Sequence, residues 1–212
     1  WTLAYGGNCK GSNTTYCTTD NMKRVRVRSV TKDTRFFGCT PQTSGWTVEW
    51  DFALFELSEN IEFSDSALPA CLPNNEDPLP NPVFHAGWGQ NEDGQTPDLR
   101  YSITAWKEDA DWKRSYPTIV ITNTTYSNET NSQNNIGTLK ATPGSIVGSG
   151  DSGSGLVGVS ARTGRATLVG PTSFEGADET RGTYSGFVIL HDWLDDICEM
   201  TGICPEGGST AA

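Results

Sequence analysis

Histidine is almost missing from this chain: His85 and His191 are the two imidazoles in 212 residues. With so few imidazoles and no C-x-x-C pair among the six cysteines, a zinc site is poorly supported. Long apolar runs are lacking too, and none approaches the ~20 residues that cross a bilayer as a helix. Basic charge is scarce, with 15 Lys and Arg against 26 Asp and Glu. The resulting net charge of −11 disfavours nucleic acid and anionic membrane as partners. No initiator Met and no signal peptide open the sequence, so from Trp1 onward it reads as a processed or trimmed chain, or a fragment.

What is present belongs to a packed protein. The chain is 35% hydrophobic and 10% aromatic, with seven Trp, enough for one large or two small domains. Six cysteines, an even number, suit a disulfide framework. Asn13, Asn123 and Asn128 head Asn-x-Ser/Thr sequons in polar stretches that read as loops, so glycosylation is expected there. Sequons and paired cysteines together place the protein outside the cell, secreted. In Lys23-Arg24-Val25-Arg26-Val27-Arg28, alternation puts the arginines on one strand face and the valines on the other. A half-buried strand with a solvated face accounts for that stretch better than an anion-binding strip.

Strand-like runs recur: KRVRVRSV, FALFEL, VFHAGW, RYSITAW, TIVIT, GLVGVSA and ATLVGPTSF. Helical spacing emerges at the end, where Val188, Leu190, Trp193, Leu194, Ile197 and Met200 fall near i, i+3, i+4. Asp192, Asp195 and Asp196 would then face water. The proline-rich stretch 73–82 marks a seam, and 122–135 a polar loop. The expected organisation is all-β with one C-terminal helix and a disordered tail over 205–212.

The stretch GSGDSGSGLVG, residues 148–158, carries the chemistry. A serine hydroxyl becomes a useful nucleophile when a base takes its proton and converging N–H groups stabilise the oxyanion. Glycines permit the tight turn that such convergence needs, and Gly150 and Ser152 could supply the two N–H groups. Asp151, turned away between them, would be held by a buried positive partner. An apolar strand follows directly, which a linker would not do. Upstream, Asp51 heads the apolar strand of DFALFEL, where it could be buried and accept a hydrogen bond from an imidazole.

Taken together, these segments resemble the trypsin-like (chymotrypsin-fold) serine endopeptidases. The resemblance rests on DFALFEL, then I-x-F-S and PACLP, GWG at 87–89, GDSGSG at 150–155, LVGPTSF near 170 and a Trp-bearing terminal helix. It implies a double antiparallel β-barrel with an incomplete first barrel. The divisions would be a partial barrel over 1–82, a second barrel over 83–187, a helix over 188–204 and the tail. It further implies Ser152 as nucleophile, Asp51 as the orienting carboxylate, and the Gly150 and Ser152 N–H groups as the oxyanion hole. Asp151 matches the aspartate that pairs with the α-amino group freed by zymogen cleavage. Ile146 matches the base of the specificity pocket, which therefore would not select Lys or Arg. Ser173 and Phe174 would line its wall, where substrate backbone pairs like an added strand. Polypeptide substrates and protein inhibitors are the implied partners, and no metal or cofactor is required.

The sequence also departs from that family. The family's A-A-H-C-type histidine motif is missing, and residues 1–50 hold no histidine. His85, in FHAGWG, reads as structural, and His191 as a surface residue. A fragment of a complete protease explains this better than an inactive relative, because missing first-barrel strands would leave apolar edges open. Ser154 and Gly155 stand where the family usually has Gly-Pro, a change that need not harm chemistry. No cysteine lies between Cys71 and Cys198, so the serine loop lacks a common flanking disulfide. Fifteen pairings are open; Cys9–Cys17 and Cys198–Cys204 form short loops that leave Cys39–Cys71, with Cys71 to the terminal helix as rival. The expected function is secreted serine endopeptidase activity through an acyl-enzyme at Ser152, with this chain alone inactive. The alternative is a catalytically inactive homologue acting as a binding module.

Overall fold

Alternation along Lys23–Lys32 makes that segment a strand with two unlike faces: Val25 is buried and Val27 half-buried, while Lys23, Arg24, Arg26 and Arg28 are exposed. The structure, a computed structural model, describes residues 1–7, 22–32, 41–42, 45–46, 51–74, 76–90, 94, 99–104, 118–122, 147–178 and 182–205. The chain forms two compact units, one of Trp1–Pro69 with Pro97–Arg100 and one of Ala70–Thr96 with Tyr101–Ala212.

In the first unit, β1 (Thr2–Tyr5), β2 (Lys23–Lys32) and β5 (Ala53–Leu57) form an antiparallel sheet in the order β1-β2-β5. Between β2 and β5 in the chain, β3 (Pro41–Gln42) and β4 (Gly45–Trp46) pair as a separate ribbon. Thr2 opposes Arg26 and Val30 opposes Phe55, with a register shift between Val27 and Ser29. The basic strip is partly matched by carboxylates on β5 and in the segment that follows it. Arg28 Nη1 lies 2.7 Å from Glu56 Oε1, and Lys23 pairs with Glu62. Both pairs are solvent-exposed, where such contacts add little stability.

The second unit holds a six-stranded sheet built from β6 (Val83–Gly87), β7 (Arg100–Thr104), β8 (Thr118–Thr122), β9 (Gly155–Val159), β10 (Ala166–Asp178) and β11 (Gly182–Val188). Their order is β7-β6-β9-β10-β11-β8, and β6/β9, β9/β10, β10/β11 and β11/β8 pair antiparallel. Its core consists of Val83, Val147, Leu156, Val169, Phe187 and Ile189, with Leu79 packed against them. A Cβ on Gly170 would stand 1.5 Å from the Val188 carbonyl oxygen, so β10 runs past Val188 without a side chain there. A 3₁₀ turn, Leu190–Trp193, leads into α1 (Leu194–Thr201). Trp193, Leu194 and Ile197 are buried and Asp195 and Asp196 exposed, as the spacing predicts, but Met200 at the helix end is exposed. Both aspartates lie in the first turn, where negative charge suits the helix dipole. Gly202, with φ +72°, caps the helix and donates to the Cys198 carbonyl at 2.8 Å.

All seven strand-like runs contain strands. The short β1, β3 and β4 and the Gly- and Ser-containing β11 lie outside those runs, and Val188 ends β11 instead of starting the helix. Among the described residues the fold is mostly β, with antiparallel sheets and one α-helix, and no sheet closes into a barrel. The Cys198–Cys204 disulfide is formed. Because Cys198 is paired with Cys204, the expected alternative of a Cys71 link to the helix is not made; among the described residues Cys71 is a free thiol, and Cys39 lies outside them. No helix among the described residues is long and apolar enough to cross a membrane.

Candidate active site

Gly150 to Ser154 make a turn that feeds directly into β9. Gly150 has φ +102° and Gly153 φ +82°, conformations that a Cβ would strain. Three of the turn's amides are committed to backbone carbonyls. Asp151 N–H donates to the Gly148 carbonyl at 3.0 Å, Gly153 N–H to the Thr172 carbonyl at 2.8 Å, and Ser154 N–H to the Asp151 carbonyl at 2.9 Å. The N–H groups of Gly150 and Ser152 have no partner among the described residues, and the Ser152 side chain is exposed. The turn therefore presents two unused donors beside one exposed hydroxyl.

Asp151 is 7% exposed and points inward. Its Oδ1 accepts the Gly89 N–H at 2.7 Å and its Oδ2 the Gly148 N–H at 2.9 Å. Charge-assisted bonds of this kind can hold a buried carboxylate. Where a cationic partner was expected, no Lys, Arg or chain terminus pairs with Asp151 among the described residues; amide dipoles surround it instead. The glycine at 89 is required for this, since a Cβ there would lie 2.4 Å from Asp151 Cγ.

Neither histidine is available to Ser152. His85 is 7% exposed on β6, its ring set edge-on to Phe187 with centroids 5.8 Å apart. Its Nε2 lies 2.7 Å from Ser154 Oγ. Burial pushes the His85 pKa below its usual value, and the nearby Asp151 charge opposes that shift. His191 is half-buried, not a free surface residue, and donates from Nε2 to the Asn74 carbonyl at 3.0 Å.

Asp51 is half-buried just ahead of β5, in the first unit, and the adjoining Phe52 is buried. Ser173 and Phe174 are half-buried on β10, where the ladder to β11 shifts register between Thr172 and Phe174. Phe174 opposes Gly186, and a Cβ on that glycine would meet the ring at 2.1 Å. The segment entering the turn is tied down by the Val147 N–H, which donates to Ser185 Oγ at 3.1 Å. Ile146, the three sequon asparagines and Cys9, Cys17 and Cys39 lie outside the described residues.

Among the described residues no three His, Cys, Asp or Glu side chains gather as a metal site would need. A cavity of about 260 Å³, lined in part by Cys71, Pro80, Arg162, Arg165 and Ile203, shares no residue with the turn. What the sequence reasoning passed over is the polar group behind Ser152, made by His85, Ser154 and Thr172. The available signal was strand parity: Val83, His85 and Gly87 alternate inward along β6. A family model described as Trypsin matches residues 7–194, a span that takes in most of both compact units.

Proposed function

The chain belongs to the trypsin family of serine peptidases, and from that premise we propose that it is the secreted endopeptidase module whose acyl-enzyme forms at Ser152. Ser152 Oγ attacks the scissile carbonyl and the Gly150 and Ser152 N–H groups receive the oxyanion. The Oγ proton passes to a general base, the amine leaves with it, and water then releases the acyl group. Asp51 is the carboxylate that orients the base. Ile146, Ser173 and Phe174 form a pocket for apolar or small residues, since no carboxylate is offered to Lys or Arg. In this reading the two larger antiparallel sheets belong to the two barrels of the family fold. The observation that carries this reading is the selectivity of the turn, in which the Asp151, Gly153 and Ser154 amides are bonded to backbone carbonyls while those of Gly150 and Ser152 have no partner among the described residues.

The chain alone does not hydrolyse peptides, in this reading, because both of its imidazoles are committed to other atoms. The same fact favours the second reading, a binding module that keeps the turn and recognises polypeptides without cutting them. Secretion fits the formed Cys198–Cys204 disulfide together with the sequons at Asn13, Asn123 and Asn128. Hydrolysis assays on peptides with an apolar, small, Lys or Arg residue before the scissile bond separate the readings. The chain by itself should cleave none. A form extended ahead of Trp1 by a segment bearing the family's histidine motif should cleave after apolar or small residues. An extended form that binds peptides and cuts none would establish the binding module.

A further inference from the structure

Ser154 Oγ sits among three polar atoms: the Asp151 carbonyl oxygen at 2.5 Å, His85 Nε2 at 2.7 Å and Thr172 Oγ1 at 3.0 Å. A hydroxyl carries one proton and accepts at two lone pairs. The Asp151 carbonyl can only accept, so the Ser154 proton must go to it; otherwise two oxygen lone pairs would face each other at 2.5 Å. The other two contacts must then be donated to Ser154 Oγ, one by Thr172 Oγ1–H and one by His85 Nε2–H. This fixes the neutral tautomer of His85, with its proton on Nε2 and the lone pair on Nδ1. It also excludes His85 as a base toward Ser154, a role that the 2.7 Å separation alone would suggest.

We propose that His85 is a positioning residue for the Ser152 turn, acting through Ser154 as an Nε2–H donor. The inference rests on the reading of Ser152 as nucleophile. Ser154 grips the Asp151 carbonyl twice, through its hydroxyl and through its amide at 2.9 Å. The turn is stitched to β10 by Gly153 N–H on the Thr172 carbonyl and Thr172 N–H on the Ser154 carbonyl, both at 2.8 Å. Donation from His85 holds the Ser154 hydroxyl in the one rotation that closes this clamp. The clamp lies where the sequence replaces the family's usual Gly-Pro, in a loop without the common flanking disulfide. Around the ring, Asp151 is the charged group; Phe187, Ser154 and Thr172 carry none. Burial therefore disfavours protonation of the ring, and among the described residues the Asp151 charge opposes that effect.

Two variants and one spectrum test this. His85→Phe keeps a buried ring and removes the donor; His85→Gln keeps a donor near the Nε2 position and cannot titrate. The ring ¹⁵N shifts of His85 should show the Nε2–H neutral tautomer at pH 7.5. Amide exchange at Ser154 should speed up roughly tenfold in His85→Phe, the factor one hydrogen bond represents in an equilibrium, and return close to wild type in His85→Gln. Between pH 7.5 and 5.5 the opening equilibrium behind this exchange should shift in wild type and stay level in His85→Gln. An Nδ1–H tautomer overturns the proposal, as does equal Ser154 exchange in the two variants. If His85→Phe does not fold, the wild-type tautomer and the pH response of His85→Gln still decide. Loss of the nucleophile reading looks different: a histidine-bearing extended form would leave Ser152 unreacted with a fluorophosphonate while tautomer and exchange stay as stated.

Discussion

Replacing Asp151 by Asn changes almost no volume and yet should loosen the whole turn. The carboxylate is 7% exposed and accepts two N–H groups, from Gly89 at 2.7 Å and Gly148 at 2.9 Å. An amide offers one oxygen where there were two, so one N–H loses its acceptor and faces an NH₂ donor. Losing a charge-assisted bond costs about 1.5–3 kcal/mol, and weakening the survivor to a neutral one about 1 kcal/mol more. Burying an amide instead of a carboxylate returns part of this, because the ion is the costlier group to desolvate. The net expectation is about 2–3 kcal/mol of destabilisation, or roughly 4–12 °C in Tm for a chain of this size. Thermal unfolding followed by circular dichroism reads the total, and amide exchange at Gly89 and Gly148 locates it. Gly89→Ala attacks the same cradle from the other side, since its Cβ would lie 2.4 Å from Asp151 Cγ. A change below about 0.5 kcal/mol in Asp151→Asn, the range of an ordinary surface substitution, would refute the reasoning.

His85 makes stability depend on acid. Its folded pKa lies below the ordinary 6.5, so as pH falls below that value the unfolded chain binds a proton that the folded chain refuses. Urea midpoints should therefore drop from pH 7.5 to 5.5 in wild type, and this component should vanish in His85→Gln. Phe187, 1% exposed in the core of the second unit, should cost about 3–5 kcal/mol when cut to Ala, read from denaturant unfolding. Blocking Cys71 by alkylation of the native chain should succeed without reductant, because that thiol is free.

Local pattern reached some of these features and could not reach others. Alternation in KRVRVRSV identified both faces of β2, and i, i+3, i+4 spacing identified the buried Trp193 of the 3₁₀ turn and Leu194 and Ile197 of α1, while Met200, on the same spacing, is exposed. In contrast, β11 is spelled Gly-Thr-Tyr-Ser-Gly-Phe-Val, with too few large residues to show a period of two. It becomes a strand because β10 and β8 pair on either side of it. The environment of Asp151 was hidden for a similar reason. Its partners, Gly89 and Gly148, donate main-chain amides, which no side-chain pattern announces. The glycines themselves were visible, and the room they leave for the carboxylate is a tertiary fact. His85 was read as structural from its place in FHAGWG; its partner Ser154 lies 69 residues away, beyond any local signal.

The most direct test is reaction with a fluorophosphonate, mapped by mass spectrometry. In a form extended by the histidine-bearing segment, one adduct should appear, on Ser152, and Ser152→Ala should abolish it. The 212-residue chain alone should take up none. Stoichiometric labelling of the chain alone, or an adduct on Ser154 in place of Ser152, would contradict the account.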